Sequence, residues 1–164
     1  MMRDGKTRRP LRGLACLIAF VACAPENESG QDSVVSAPPA AVAFTLPDKI
    51  EWKQGSARSQ QAILVGDPSK PGLYVVMQKW LPGGMSRPHF HPNDRFITVL
   101  KGTWWVGTGT KFDPSSTVPM QAGTFVTHFG KQVHYDGAKD EEAVLLITGE
   151  GPATSTPAEV KQVP

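Results

Sequence analysis

The chain has few cysteines and, beyond its first residues, no excess of basic charge. Both cysteines, Cys16 and Cys23, precede residue 24, so the rest of the chain has no thiol for a disulfide or a metal. The first 23 residues hold five of the 17 basic and one of the 15 acidic residues, which leaves the remainder with a formal charge of −2. We therefore expect no nucleic-acid partner, and a bound metal must have nitrogen or oxygen ligands.

The sequence also lacks a sustained helical periodicity and an internal repeat. Its 164 residues, 40% of them apolar, suit one domain with a core of ordinary size. From Phe44 onward, short apolar runs are separated by turn residues, which is typical of an all-β sandwich or barrel. The predicted strands are 44–46, 50–54, 62–66, 72–81, 86–91, 95–100, 103–108, 117–121, 124–128, 133–136 and 142–148.

The first residues have the pattern of an export signal. Five basic residues precede a short apolar run from Leu14 to Ala22, too short for a stable membrane anchor, so residues 1–23 are predicted to be a signal peptide. Val21-Ala22-Cys23 resembles the lipobox of bacterial lipoproteins. It predicts a lipid anchor at Cys23 and a location on the periplasmic face of a bacterial membrane, with plain secretion as the alternative.

The remainder of the chain divides into two parts. Residues 24–43 are poor in aromatics and rich in Ser, Pro and acids, a composition that predicts a disordered tether. Residues 44–164 are predicted to form the single folded domain.

Two histidines stand two residues apart in an apolar, turn-bounded segment. In a strand, His89 and His91 would project from the same face, about 6 to 7 Å apart at Cα. Both imidazoles could then reach one ion. His134 is the best candidate for a third ligand, and His128 is the remaining histidine of the chain. A packed or hydrogen-bonded core histidine is the alternative for each.

The spacing of glycines and histidines resembles the cupin superfamily over about residues 62 to 150. In its first motif, Arg95 stands where the family has a metal-ligating Glu. In its second motif, His128 replaces a Pro, one extra residue precedes His134, and Ala138 replaces an Asn. The matching residues are Gly83, His89, His91, Gly102, Gly123, Gly130 and His134.

The resemblance implies a single cupin-type antiparallel β-barrel, a jelly-roll-like double sheet. It also implies a divalent Fe, Mn, Ni, Cu or Zn ion on His89, His91 and His134, with His128 as a candidate fourth ligand.

Arg95 complicates this site, because a guanidinium stays charged and repels a metal dication unless an anion lies between them. It could turn outward to Asp94 or another acid, bind a substrate carboxylate beside the metal, or belong to a site that has lost its metal. Arg95 and Tyr135 are the candidate catalytic residues. Tyr135 and its neighbour Asp136 could transfer protons, with packing or surface roles as the alternative.

Two classes of function fit the resemblance, and the fold hosts both. The first is a metal-dependent enzyme with oxygenase-type chemistry on a small organic acid or aromatic, or an isomerase using histidine acid-base chemistry. The second is a non-catalytic small-molecule or metal binder at the cell envelope.

Two apolar features bear on assembly and on the cavity. The runs 73–77 and 143–147 are apolar on both faces, which predicts a homodimer or central strands of a sandwich. Trp104 and Trp105 are adjacent, so one should face the interior and either line a ligand pocket or fill the core.

Overall fold

The computed structural model describes residues 41–160. From Phe44 onward these residues form one compact unit, and the all-β prediction is confirmed. Two short 3-10 helices, Pro47–Lys49 and Pro114–Ser116, accompany the strands of this range. The strands are β1 Lys53–Gln54, β2 Ser59–Val65, β3 Gly72–Trp80, β4 His89–Phe90, β5 Arg95–Lys101, β6 Thr103–Thr108, β7 Val118–Gln121, β8 Phe125–His128, β9 His134–Gly137, β10 Ala143–Gly151 and β11 Thr156–Pro157.

The strands form two antiparallel sheets. One has six strands in the order β1-β2-β3-β10-β5-β8, and the other has five in the order β11-β4-β9-β6-β7. The two long apolar runs lie in β3 and β10, which are paired along nine residues in the middle of the larger sheet. Both runs are therefore central strands of that sheet.

Three strand predictions need correction. Residues 44–46 form no strand, because Leu46 leads into the 3-10 turn at Pro47 and lies 52% exposed, without a neighbouring strand. The predicted 50–54 strand shrinks to β1, and the predicted 86–91 strand shrinks to β4. Pro88 and Pro92 flank β4, and proline lacks the N–H that a ladder needs. The short β11 was not predicted.

The core lies between the sheets and follows the alternation of the strands. Tyr74, Val76, Ile97 and Leu145 face inward and are buried. Trp104 is fully buried in the same core. The neighbouring Trp105 is only half-buried, and the ammonium of Lys139 lies 3.6 Å from its ring centroid. The two tryptophans thus have different environments, as their adjacent positions in β6 predict.

The outer face of the larger sheet carries exposed apolar side chains. Leu73 is 57% exposed, Phe96 47% and Phe125 64%, and the rings of Phe96 and Phe125 stack with centroids 6.4 Å apart. The homodimer stays a prediction.

The predicted export signal, Cys23 and the predicted tether up to residue 40 lie outside the described residues. The lipid anchor and the division of the chain into domains therefore stay predictions. Between residues 41 and 160, no helix has the length and apolar character needed to cross a membrane.

Replacing Gly102 by Ala should destabilise the fold more than replacing Gly109 by Ala. Their φ angles are 71° and 90°, so each substitution bears about 1–2 kcal/mol of left-handed backbone strain. A Cβ on Gly102 would also overlap the carbonyl oxygen of Glu142, whereas nothing lies within 4 Å of a Cβ on Gly109. Urea unfolding measures both losses, and equal losses would contradict the packing argument.

Candidate metal site

The fold brings three histidines together at one end of the barrel interior. His89 in β4 pairs directly with His134 in β9, and His91 is the first residue after β4. The ring centroids lie 4.9 Å apart for His89 and His91, and 4.5 Å apart for His89 and His134. One nitrogen from each ring lies within 4.8 Å of the other two. This group can hold a metal ion.

Backbone carbonyls determine the tautomer of each imidazole. A carbonyl oxygen only accepts hydrogen bonds, so every Nδ1 that faces one must carry the ring proton. The Nε2 atom of each neutral ring then keeps a free lone pair, which is the form that ligates a metal. The Nδ1 to oxygen distances are 2.8 Å from His89 to Arg87, 2.9 Å from His91 to Thr154 and 3.1 Å from His134 to Gln132.

Two of these lone pairs face each other. The Nε2 atoms of His89 and His91 are 3.1 Å apart, and two neutral rings with their protons on Nδ1 have no second proton to share there. Burial, followed by the charge of Arg95, lowers the pKa of His91 to about 3. Burial likewise lowers the pKa of His134 to about 4, although Asp136 opposes this shift. A divalent cation would satisfy these lone pairs, and imidazole suits Fe, Ni, Cu and Zn.

Arg95 projects into the barrel beside these histidines. Its Nη2 donates to His134 Nε2 at 3.2 Å and to His128 Nδ1 at 3.1 Å. Asp94 instead accepts the backbone N–H of Gly130 at 2.7 Å, so Arg95 does not turn outward to Asp94. The guanidinium therefore donates to the Nε2 lone pair of His134, the third of the converging histidines.

His128 is also buried and lies beside His134. It pairs with Arg95 across β5 and β8, and its ring centroid is 4.0 Å from that of His134 and 5.2 Å from that of Trp104. Burial lowers the pKa of His128 well below its usual range. Its Nδ1 accepts from Arg95, so the proton of the neutral ring is on Nε2, which is buried without a partner.

A buried carboxylate completes the site. Asp136 is 5% exposed, and its Oδ2 lies 3.9 Å from His134 Nε2. Its backbone N–H donates to Ser86 Oγ at 2.9 Å. Together with His128 and His134 it forms a second group of possible ligands. Asp136 stands two residues after His134 in β9, so the alternation of a strand predicts that both side chains face the interior. An aspartate with a surface role would not be buried in this way.

The structure does not bring Tyr135 to this group. Neighbours in a strand face opposite ways, and Tyr135 packs against Phe112 on the other side of β9, with ring centroids 5.3 Å apart. Its hydroxyl donates to the Asp113 carbonyl at 2.9 Å and lies 3.0 Å from Ser116 Oγ. These contacts fix the loop between β6 and β7.

A cavity of about 780 Å³ opens onto the site. Its polar end holds His89, His91, Arg95 and Asp136, and its apolar walls include Trp80, Ile97, Trp104 and Leu145. The segment from Ala153 to Pro157 lines the rim. That segment is held by the pairing of β11 with β4 and by a two-bond ion pair between Arg87 and Glu159.

Asp136→Asn should destabilise the metal-free protein by more than the roughly 1 kcal/mol of an average substitution, because leaving a buried charge unpaired is one of the causes of larger losses. Asp136 is the carboxylate whose charge acts on buried Arg95. Asp140→Asn is the matched control, because Asp140 is exposed and surface changes usually stay within about 0.5 kcal/mol. Chemical denaturation of EDTA-treated protein measures both, and equal effects would contradict the assigned charge balance.

The chain is similar to known proteins among the solved structures. No family model and no curated protein sequence matches the chain. The polyketide cyclase RemF from Streptomyces resistomycificus is similar with a TM-score of 0.61 at 13% identity, over 74% of this chain and 88% of that one.

Two further solved structures have the same architecture. An RmlC-like cupin from Shewanella frigidimarina matches with a TM-score of 0.54 at 16% identity, over 69% of this chain and 93% of that one. A double-stranded β-helix protein from Klebsiella pneumoniae matches with a TM-score of 0.54 at 18% identity, over 72% and 97%. The chain therefore has the cupin, or double-stranded β-helix, fold.

Proposed function

We propose that this protein binds a divalent metal through His89, His91 and His134 and acts as a metal-dependent enzyme on a small organic molecule. One observation carries the proposal. Three converging imidazoles, of which His91 and His134 are buried, direct their Nε2 atoms toward one another while backbone carbonyls accept from each Nδ1. Lone pairs in this arrangement repel unless a cation lies among them.

A three-histidine ion retains open coordination positions and would supply Lewis-acid or oxygen-activating chemistry. The chain's own residues determine what reaches it. The cavity of about 780 Å³ has the size of a small-molecule site. Trp80 and Trp104 offer an aromatic wall, and Arg95 and Asp136 offer one charge of each sign. A small organic acid or aromatic fits this combination.

Oxygenase-type chemistry is the form of this activity that we favour. A solved structure of the same fold is named as a polyketide cyclase, which supports an enzymatic use of such a barrel on organic substrates. An isomerase reaction through histidine acid-base chemistry is the second enzymatic form. Non-catalytic binding is the second class, and it is favoured by Arg95, which engages a lone pair that the metal would need.

Replacing His89, His91 or His134 by Ala should remove most of the bound metal. The loss of affinity should exceed the roughly 10- to 100-fold that follows when a ligand loses its outer hydrogen-bond partner. Metal at 100 times Kd should stabilise the wild type by about 2.7 kcal/mol and the variants by much less. Metal analysis of protein made without a histidine tag, with thermal unfolding, measures both quantities.

His128→Gln is the matched control, because it removes an imidazole from the same interior and retains an acceptor for Arg95. It should keep its metal. An equal loss in this variant would make His128 a fourth ligand.

Oxygen uptake with a panel of small carboxylic acids and aromatics then separates the oxygenase reaction from the isomerase reaction and from simple binding. Full activity in metal-free protein would overturn the metal-centred function.

We also propose that the protein acts at the periplasmic face of a bacterial membrane, anchored by a lipid on Cys23. The order of basic residues, apolar run and small residues before Cys23 supports this. Cys23→Ser should abolish lipid labelling and release the protein from the membrane fraction, and globomycin should block processing of the wild type. Unchanged processing and partition in both experiments would contradict the anchor.

A further inference from the structure

His134 cannot serve Arg95 and a metal at the same time. Its Nδ1 proton is donated to the Gln132 carbonyl, so Nε2 has the ring's single lone pair. Arg95 Nη2 donates to that lone pair at 3.2 Å. A metal ion on the three histidines requires the same lone pair. Arg95 is thus an internal cation that competes for one of the three ligands.

Arg95 lacks the partners that would hold such a charge firmly. Within residues 41–160, its hydrogen-bond acceptors are the neutral imidazoles of His128 and His134, and no carboxylate accepts from it. Its charge is opposed by Asp136 across space. Because Arg95 lines the cavity, an anionic group in that cavity would be a stronger partner than either imidazole.

The surroundings of Arg95 contain more donors than acceptors. In the described part of the chain, three buried side-chain nitrogens have no hydrogen-bond partner: Arg95 Nε, Trp104 Nε1 and His128 Nε2. All three carry protons, since the His128 proton is displaced to Nε2 by the bond from Arg95. Buried donors without acceptors are costly. Arg95 and Trp104 line the cavity, so their unpartnered N–H groups point to a ligand that brings acceptor oxygens.

We propose that a small organic carboxylate binds Arg95 in the cavity, withdraws it from His134 and thereby strengthens metal binding at the three histidines. This inference rests on the proposed function and names its substrate class. The carboxylate also lies between two positive charges that otherwise repel each other. Because coupling between two ligands is reciprocal, the metal must strengthen carboxylate binding by the same factor.

Co²⁺ and benzoate are suitable probes, because Co²⁺ binding is visible by absorption and a monocarboxylate is a weak chelator. Saturating benzoate should tighten Co²⁺ binding by about tenfold, within the usual range of couplings. Chloride at the same ionic strength should not. Calorimetric titration of benzoate into Co²⁺-loaded and metal-free protein should show the same factor. Equal effects of chloride and benzoate would overturn the inference.

Arg95→Met removes the competing cation and the carboxylate's partner together. Without benzoate it should bind Co²⁺ about tenfold tighter than the wild type, and benzoate should no longer change that affinity. Arg95→Gln serves as a second variant, and thermal unfolding establishes that each is folded. Lys53→Gln is the control, because it removes a positive charge from an exposed side chain that does not line the cavity. It should retain the coupling.

The outcomes separate the inference from the proposed function. Co²⁺ binding that responds neither to benzoate nor to Arg95→Met would overturn the coupling and leave the metal site intact. No Co²⁺ binding in either protein would overturn both. Binding in Arg95→Met but not in the benzoate-free wild type would support Arg95 as the competing cation most directly.

Discussion

The pairing of β9 with β4 and β6 is the constraint on which the site depends. β9 lies between them in the smaller sheet, with His89 opposite His134 and Val106 opposite Asp136. Strand alternation then directs His134 and Asp136 into the barrel and Tyr135 out of it. A slip of one residue would exchange the two faces, which would bury a phenol in the cavity and remove both an imidazole and a carboxylate.

Much of this arrangement could be predicted from the sequence. The turn residues and short apolar runs gave the all-β architecture, and the positive φ of Gly83, Gly102 and Gly123 explains why glycines punctuate it. The convergence of His89 and His91 was expected for a continuous strand. The two imidazoles converge although His91 lies beyond β4, because a hydrogen bond to the Thr154 carbonyl orients the His91 ring. Residues 44–46 looked like a strand because apolar composition says nothing about whether a partner strand is present.

Other parts of the site depend on contacts that no local pattern encodes. His91 donates to a backbone carbonyl 63 residues further along the chain. Every residue type has this carbonyl, so the residue type at that position does not reveal the contact. The direction of Arg95 also depended on the fold. Asp94 is its chain neighbour, but the two face opposite ways in an extended backbone, and Asp94 is taken by the loop at Gly130.

The charged residues of the interior stand at other positions than in the cupin motif that the sequence resembles. Arg95 occupies the place on β5 where a carboxylate is expected, and a carboxylate stands instead at Asp136 on β9. With the histidines neutral, the site without a metal contains one positive and one negative charge, so its net charge is zero although the Nε2 lone pairs of His89 and His91 still face each other. This distinguishes it from a site whose carboxylate has no cation nearby, which would be stable mainly with its metal bound.

The contact between His91 and Thr154 has a consequence for the order of events during biosynthesis. A chain emerging from a ribosome or a translocation channel exposes His89 and His91 well before residue 154. Until that residue arrives, the proton of His91 is free to occupy either ring nitrogen, and the Nε2 lone pair is not reserved for a ligand. The arrangement of the three imidazoles described above therefore forms only after residue 154 has been synthesised.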